Sequence, residues 1–158
     1  MSIVVNRQIA GDLNKPSAEL LNFCINKHVE ELLRLQKLSD YYDGKHDILK
    51  RTKENEGAPN NKVLINHAKY VVDMNVGFMV GNPISYVAES DKNIGPILEA
   101  YDRVDIVSHD TELEKDLSTF GVGYELVYLK KTKDNDATQL EIKCIDPRGI
   151  FLVTDDTV

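Results

Sequence analysis

Between Pro16 and Gly44, Leu20, Leu21, Cys24, Ile25, Val29, Leu32, Leu33, Gln36, Leu38 and Tyr41 recur every three or four residues. That spacing lays apolar side chains along one face of an α-helix. Ser17 is the residue type that caps a helix start, and Asp43-Gly44 is a stop signal. A helix of about 25 residues is roughly 38 Å long. This is longer than a compact domain of 158 residues requires, so the pattern predicts a helix that reaches beyond one core and packs against neighbours.

A second apolar stretch from about Lys62 to Met79 carries Val63, Leu64, Ala68, Val71, Val72 and the run Val76 to Val80. Apolar residues cover more than half its circumference, which predicts the central, most buried helix of the domain. Gly81-Asn82-Pro83 ends it, because glycine tolerates positive φ and proline cannot continue the backbone ladder. Asp91 to Asn93 then offer a cap for a third helix through Ile94, Ile97, Leu98 and Tyr101. A fourth runs from about Asp105 through Ile106, His109, Leu113, Leu117 and Phe120, closed by Gly121 and Gly123.

The period then changes to two. Tyr124, Leu126 and Tyr128 alternate with Glu125, Val127 and Leu129, and Leu140, Ile142 and Cys144 with Glu141, Lys143 and Ile145. This is a two-stranded antiparallel pattern, with Lys133-Asp134-Asn135-Asp136 as its polar connection. Asp146-Pro147-Arg148-Gly149 makes a turn into a further strand at Ile150 to Thr154. That strand is expected either to pair back onto the hairpin or to lack its usual continuation. Residues 1–14 carry no sustained period and read as an arm ordered only by contacts, and 50–62 as a charged exposed loop. The expected fold is therefore α+β and mainly helical, with about four helices, one long, and a small antiparallel sheet near the C-terminus. Residues 1–16 are read as an N-terminal arm and 17–158 as one domain.

Composition narrows the function. A formal charge of -7 argues against a surface that neutralises many phosphates, which needs clustered Lys and Arg. Cys24 and Cys144 are far apart and each sits among apolar residues, so buried thiols are expected rather than a disulfide. The run Val76 to Val80 is far too short to span a bilayer.

No catalytic, cofactor-binding or metal-ligating residue is assigned. None of His28, His46, His67 and His109 has a partner at helical zinc spacing. His67 and His109 read as packed or half-buried imidazoles. Asp47 could orient His46 as in a hydrolase pair, but adjacent residues on a turn point apart. The glycines of Gly81-Asn82-Pro83 and Gly121-Val122-Gly123 follow helices and lead into extended chain, so they read as helix caps and not as a phosphate-cradling loop. Asp134 with Asp136, and Asp155-Asp156, read as solvated turns without a full set of calcium ligands.

Four stretches, in order, resemble portal proteins of siphophages from Gram-positive bacteria. They are Tyr41-Tyr42-Asp43-Gly44-Lys45-His46-Asp47-Ile48-Leu49; Asn60-Asn61-Lys62-Val63 through Ala68-Lys69-Tyr70-Val71-Val72-Asp73; Val76-Gly77-Phe78-Met79-Val80-Gly81-Asn82-Pro83-Ile84; and Gly121-Val122-Gly123-Tyr124-Glu125-Leu126-Val127-Tyr128. Asp146-Pro147-Arg148-Gly149-Ile150-Phe151 resembles the family's proline-containing turn, so the likeness covers roughly residues 17 to 155.

The resemblance implies the wing region of a non-enzymatic, ring-forming subunit without cofactors. Such a ring sits at the capsid vertex of the virion, is assembled in the host cytoplasm, and passes DNA during packaging and ejection. Its partners would be other portal subunits, capsid and scaffold proteins, the terminase motor and the neck or tail adaptor, with no membrane. In the family the channel-lining stem, the motor-binding clip and the crown follow, so this chain reads as a truncated frame, a prophage remnant or a cut piece. No DNA-contacting residue is assigned, and the chain alone is expected to be monomeric or weakly associated. The resemblance gives structural roles to Gly77 in close helix packing, to Gly81, Pro83, Gly121 and Gly123 in ending helices, and to Tyr124 and Tyr128 on one side of the hairpin. Two other readings stay open: a stand-alone interaction module that interferes with capsid assembly, and a small enzyme resting on His46 and Asp47.

Overall fold

The long apolar repeat forms one uninterrupted helix, α1 (Ala18–Tyr42), in the computed structural model, which describes residues 2–6, 11, 15–53, 57, 59–89, 92–131 and 138–156. Ser17 caps it by accepting from the Leu20 amide at 3.2 Å. At the other end, the Gly44 N–H donates to the Tyr41 carbonyl at 3.2 Å and the Lys45 N–H to the Asp40 carbonyl at 2.6 Å. This pair of closing bonds needs a left-handed residue just past the cap, and Gly44 supplies it with φ 78°. A 3-10 turn follows at Asp47–Lys50.

The second apolar stretch forms α2 (His67–Val80), starting at His67 and not at Lys62. Residues 61–66 lie outside any helix or strand. β-branched Val63 and Ile65 disfavour helix there, and Asn66 takes the capping position by accepting from the Lys69 amide at 3.0 Å. Gly81 follows α2 at φ -63°, so its left-handed freedom is not used. Pro83 stops the helix, because the residue before a proline is pushed out of the helical region.

The expected burial of α2 is overturned. Val72 is its one buried residue, Val71 and Met74 are more than half exposed, and Phe78 is 87 % exposed. A helix that is apolar all round is covered only where neighbours surround it. The described residues supply neighbours on one side, mainly the helix at Ile106–Phe120 and the end of α1.

Helix α3 (Gly95–Arg103) is followed by α4 (Ile106–Phe120). Asp91 lies outside the described residues. Asn93 accepts from the Gly95 amide at 2.9 Å, while Ile94 occupies the cap position. Asp105 caps α4 from a left-handed backbone, φ 50°, and Gly121, φ 78°, ends it. α4 is the hub: it packs against α1, α2, α3 and the hairpin, and it buries His109 and Phe120.

The hairpin pairs β2 (Tyr124–Lys131) with β3 (Thr138–Ile145) antiparallel, from Tyr124 opposite Ile145 to Lys131 opposite Thr138. Tyr124 and Tyr128 are half-buried on one side, while the other β2 residues are exposed. The polar connection at Lys133–Asp136 lies outside the described residues. Four helices with this small antiparallel ribbon make the chain α+β.

The last strand does not pair back onto the hairpin. β4 (Leu152–Asp155) runs parallel to β1 (Ser2–Val5), with Ser2 opposite Leu152 and Val5 opposite Asp155. Ser2-Ile3-Val4-Val5 is too short for its period to stand out in the sequence. Once paired, however, Ile3 and Val5 turn inward onto Cys24, Leu20, Phe151 and Val153 and form a small core. Asp156 continues the pairing by donating its N–H to the Val5 carbonyl at 3.1 Å, and its carboxylate accepts from Asn6 at 2.9 Å.

Candidate functional site

The turn Asp146-Pro147-Arg148-Gly149 joins the hairpin to β4 and ties three parts of the fold together. Pro147 is fully buried, and the Gly149 N–H closes the turn on the Asp146 carbonyl at 2.9 Å. Asp146 accepts from the Arg148 backbone N–H at 2.8 Å and from Arg148 Nε at 2.9 Å, and Arg148 Nη2 reaches its other oxygen at 2.5 Å. Arg148 Nη1 also donates to Gln36 Oε1 at 3.3 Å and Ser39 Oγ at 3.2 Å on α1, and the guanidinium lies 5.9 Å from the Phe120 ring centroid on α4. A planar, five-donor cation suits this bridging. The Arg148 carbonyl meets His28 Nε2 at 2.9 Å.

Arg148 lies in an open cleft of about 390 Å³ between α1, α4 and β3, together with Asp43, Lys45, Lys115, Asp116 and Cys144. Hydrogen bonding from Arg148 holds the Asp146 carboxyl below its ordinary value, while burial and the nearby Asp146 and Glu112 charges push the Asp116 carboxyl up. Within the cleft, Arg148 and Asp146 thus act mainly on each other. Among the described residues, Thr119 Oγ1 is buried without a hydrogen-bond partner.

A carboxyl whose folded pKa is lowered adds stability that is complete above its unfolded value, near 3.8, and is lost as pH falls through the folded value. Asp116 acts in the opposite sense, its raised pKa favouring the fold as pH falls. Arg148→Met is expected to cost about 1–2 kcal/mol at pH 7, discounted because both partners are partly exposed. Urea unfolding at pH 7 and at successively lower pH checks this: the penalty should shrink progressively below about 3.8, as Asp146 takes up its proton through its lowered folded value.

A second node links α4 to the hairpin. His109, 7 % exposed, places Nε2 2.9 Å from Glu125 Oε2 on β2 and Nδ1 3.5 Å from Cys144 Sγ on β3. The outline is that of a nucleophile, base and orienting acid, but the chemistry opposes it. Burial first, and then Glu112, Asp116 and other carboxylates, push the Cys144 thiol up to about 11, so it stays protonated at neutral pH. The thiol also lies 3.6 Å from the His109 carbonyl, which it can serve as a donor. This node was not legible in the sequence, because its members are 16 and 35 residues apart.

A third node joins α1 to α2. Asn66 Nδ2 donates to the Tyr42 carbonyl at 2.8 Å, and Lys69 bridges the Tyr42 hydroxyl and Asp73 at 2.9 Å each. His46 stacks on Tyr41, with Nε2 3.1 Å from the Tyr41 carbonyl and 3.3 Å from Asn66 Oδ1. Asp47 instead accepts from the Tyr41 hydroxyl at 3.2 Å and faces Lys37 at 3.5 Å. The two side chains therefore have separate partners, and no His46–Asp47 pair forms. His67, expected to pack, is exposed on α2. Cys24 and Cys144 are both free thiols, Cys24 buried. Among the described residues no group of three His, Cys, Asp or Glu is placed to hold a metal ion, and no helix is long and apolar enough to cross a membrane.

Residues 21–158 match the family described as phage portal protein, SPP1 Gp6-like. The chain belongs to this portal family. No curated protein matches it. Portal proteins are structural rather than enzymatic. They form a ring at the virion's capsid vertex, where capsid and tail proteins meet it. The matched region runs from within α1 to the end of the chain, and β1, which lies outside it, completes the small core through β4. The portal-like turn at Asp146–Gly149 holds the hairpin against α1 and α4 through Arg148. An acid two residues before an arginine in a proline turn is the local signal for that node. The reach of Arg148 to Gln36 and Ser39 has no such signal.

Proposed function

We propose that this chain serves as a structural subunit of the portal ring through which a tailed phage packages and ejects its DNA. The family match over residues 21–158, which takes in the elements from α1 to β4, carries this reading. In it, residues 17–158 act as a wing-like region whose charged cleft is a structural tie. Contacts with DNA and the packaging motor belong to stem and clip segments. The net charge of -7 supports that division, since a phosphate-tracking surface needs the opposite sign.

Co-expression with a full-length siphophage portal protein tests the reading. The tagged chain is expected to co-purify with portal rings, and a chain that never enters them overturns it. The exposed apolar faces of α1 and α2 favour a second reading, a module that blocks portal assembly. Infected cells producing the chain would then yield fewer DNA-filled capsids, whereas a working subunit leaves that yield unchanged.

A further inference from the structure

Two helix faces on this chain are apolar, exposed and free of charge, although 28 % of its residues are charged. On α2 the sector opposite buried Val72 is made of His67, Tyr70, Val71, Met74, Gly77 and Phe78. Its charged residues Lys69 and Asp73 lie to one side and pair with each other at 2.9 Å. A Cβ at Gly77 would meet nothing within 4 Å, so the middle of this face is an open recess beside Met74 and Phe78. On α1, Leu21, Ile25, Val29 and Leu33 recur every four residues, the first three about half exposed and Leu33 81 % exposed. Ala18, Asn22 and Gln36 extend that sector without adding charge.

The two faces do not cover each other within one chain. α1 and α2 meet at the C-terminal end of α1, around Leu38, Tyr42, Ala68 and Val72, which leaves the Leu21–Leu33 stripe uncovered. They nevertheless match. From Leu21 to Leu33 is about 18 Å of helix and from His67 to Phe78 about 17 Å. Neither brings a charge that pairing would strand in a low dielectric. Each presents on the order of 400 Å² of apolar side chain, as large as the main patch of a typical monomer. Joined, and with their polar rims, they approach the roughly 1,200 Å² at the lower end of specific interfaces.

We propose that the α1 face of one copy docks onto the α2 face of the next, a head-to-tail contact between copies of this chain. The inference rests on the portal reading for the meeting of copies and adds the surfaces through which they meet. Because the two faces differ, each pairing leaves one of each kind open, so the contact propagates into a ring or a filament.

Analytical ultracentrifugation of the full chain and two variants tests this. Val29→Glu with Leu33→Glu blocks only the α1 face, and Met74→Glu with Phe78→Glu only the α2 face. All four side chains are exposed, so thermal unfolding should be unchanged, and single Leu33→Lys and Phe78→Lys variants replace any double variant that unfolds. The wild-type chain is expected to associate as its concentration rises to about 0.5 mM, a weak contact of fractional-millimolar Kd. Each variant alone should stay monomeric. Their equimolar mixture should form a one-to-one pair and nothing larger, since only one matched contact survives. A monomeric wild type, a variant that still self-associates, or a mixture that does not pair overturns the proposal. None of these results touches the portal reading, which stands or falls on entry into portal rings.

Discussion

Phe120→Ala is expected to destabilise the fold by about 3–4 kcal/mol, the range for deleting a buried aromatic. Phe120 is 7 % exposed at the end of α4, the helix that contacts α1, α2, α3 and the hairpin. Its ring also underlies the Arg148 guanidinium. Truncation opens a void where these elements converge and removes the surface on which the cation rests. At roughly 3 °C per kcal/mol for a chain of this size, the Tm should fall by about 10 °C. Urea unfolding measures the free energy directly. A loss below about 1 kcal/mol, the range of ordinary surface substitutions, would show that α4 is not the centre of packing.

Ile3→Ala is expected to cost about 2–3 kcal/mol, although it lies in a segment whose sequence reads as an arm. Ile3 is 7 % exposed and packs with Val5 and Cys24 under Phe151 and Val153. Val4, 61 % exposed on the other face of the same strand, is the internal control, and Val4→Ala should stay within about 0.5 kcal/mol. Hydrogen exchange at Leu152–Asp155 gives a second readout, because loosening β1 exposes the amides of its parallel partner. Equal, small effects at both positions would mean that β1 is not part of the core.

The contrast between Ile3 and Leu20 shows where sequence reading fails. Leu20 belongs to a pattern of 25 residues, with a serine cap before it and Asp43-Gly44 after it, and each of those signals acts within a turn of helix. Ile3 belongs to four residues whose paired strand lies about 150 positions away. α2 shows the reverse error. Its apolar content predicts burial, but Phe78 stays exposed because coverage depends on what else the chain brings near. Asn66 explains the late start of the same helix, capping it and holding the Tyr42 carbonyl at once.

Four helices among the described residues, the caps Ser17, Asp105 and Gly121, and the antiparallel hairpin follow from short-range preferences, so they can be read residue by residue along the chain. The portal-like stretches belong to the same class, since each is a run of local signals. The parallel pairing of β1 with β4, the exposure of α2, the His109–Glu125–Cys144 node and the reach of Arg148 to α1 cannot be read that way. Each joins groups far apart in sequence, and their meeting depends on how the elements pack, which no local period encodes.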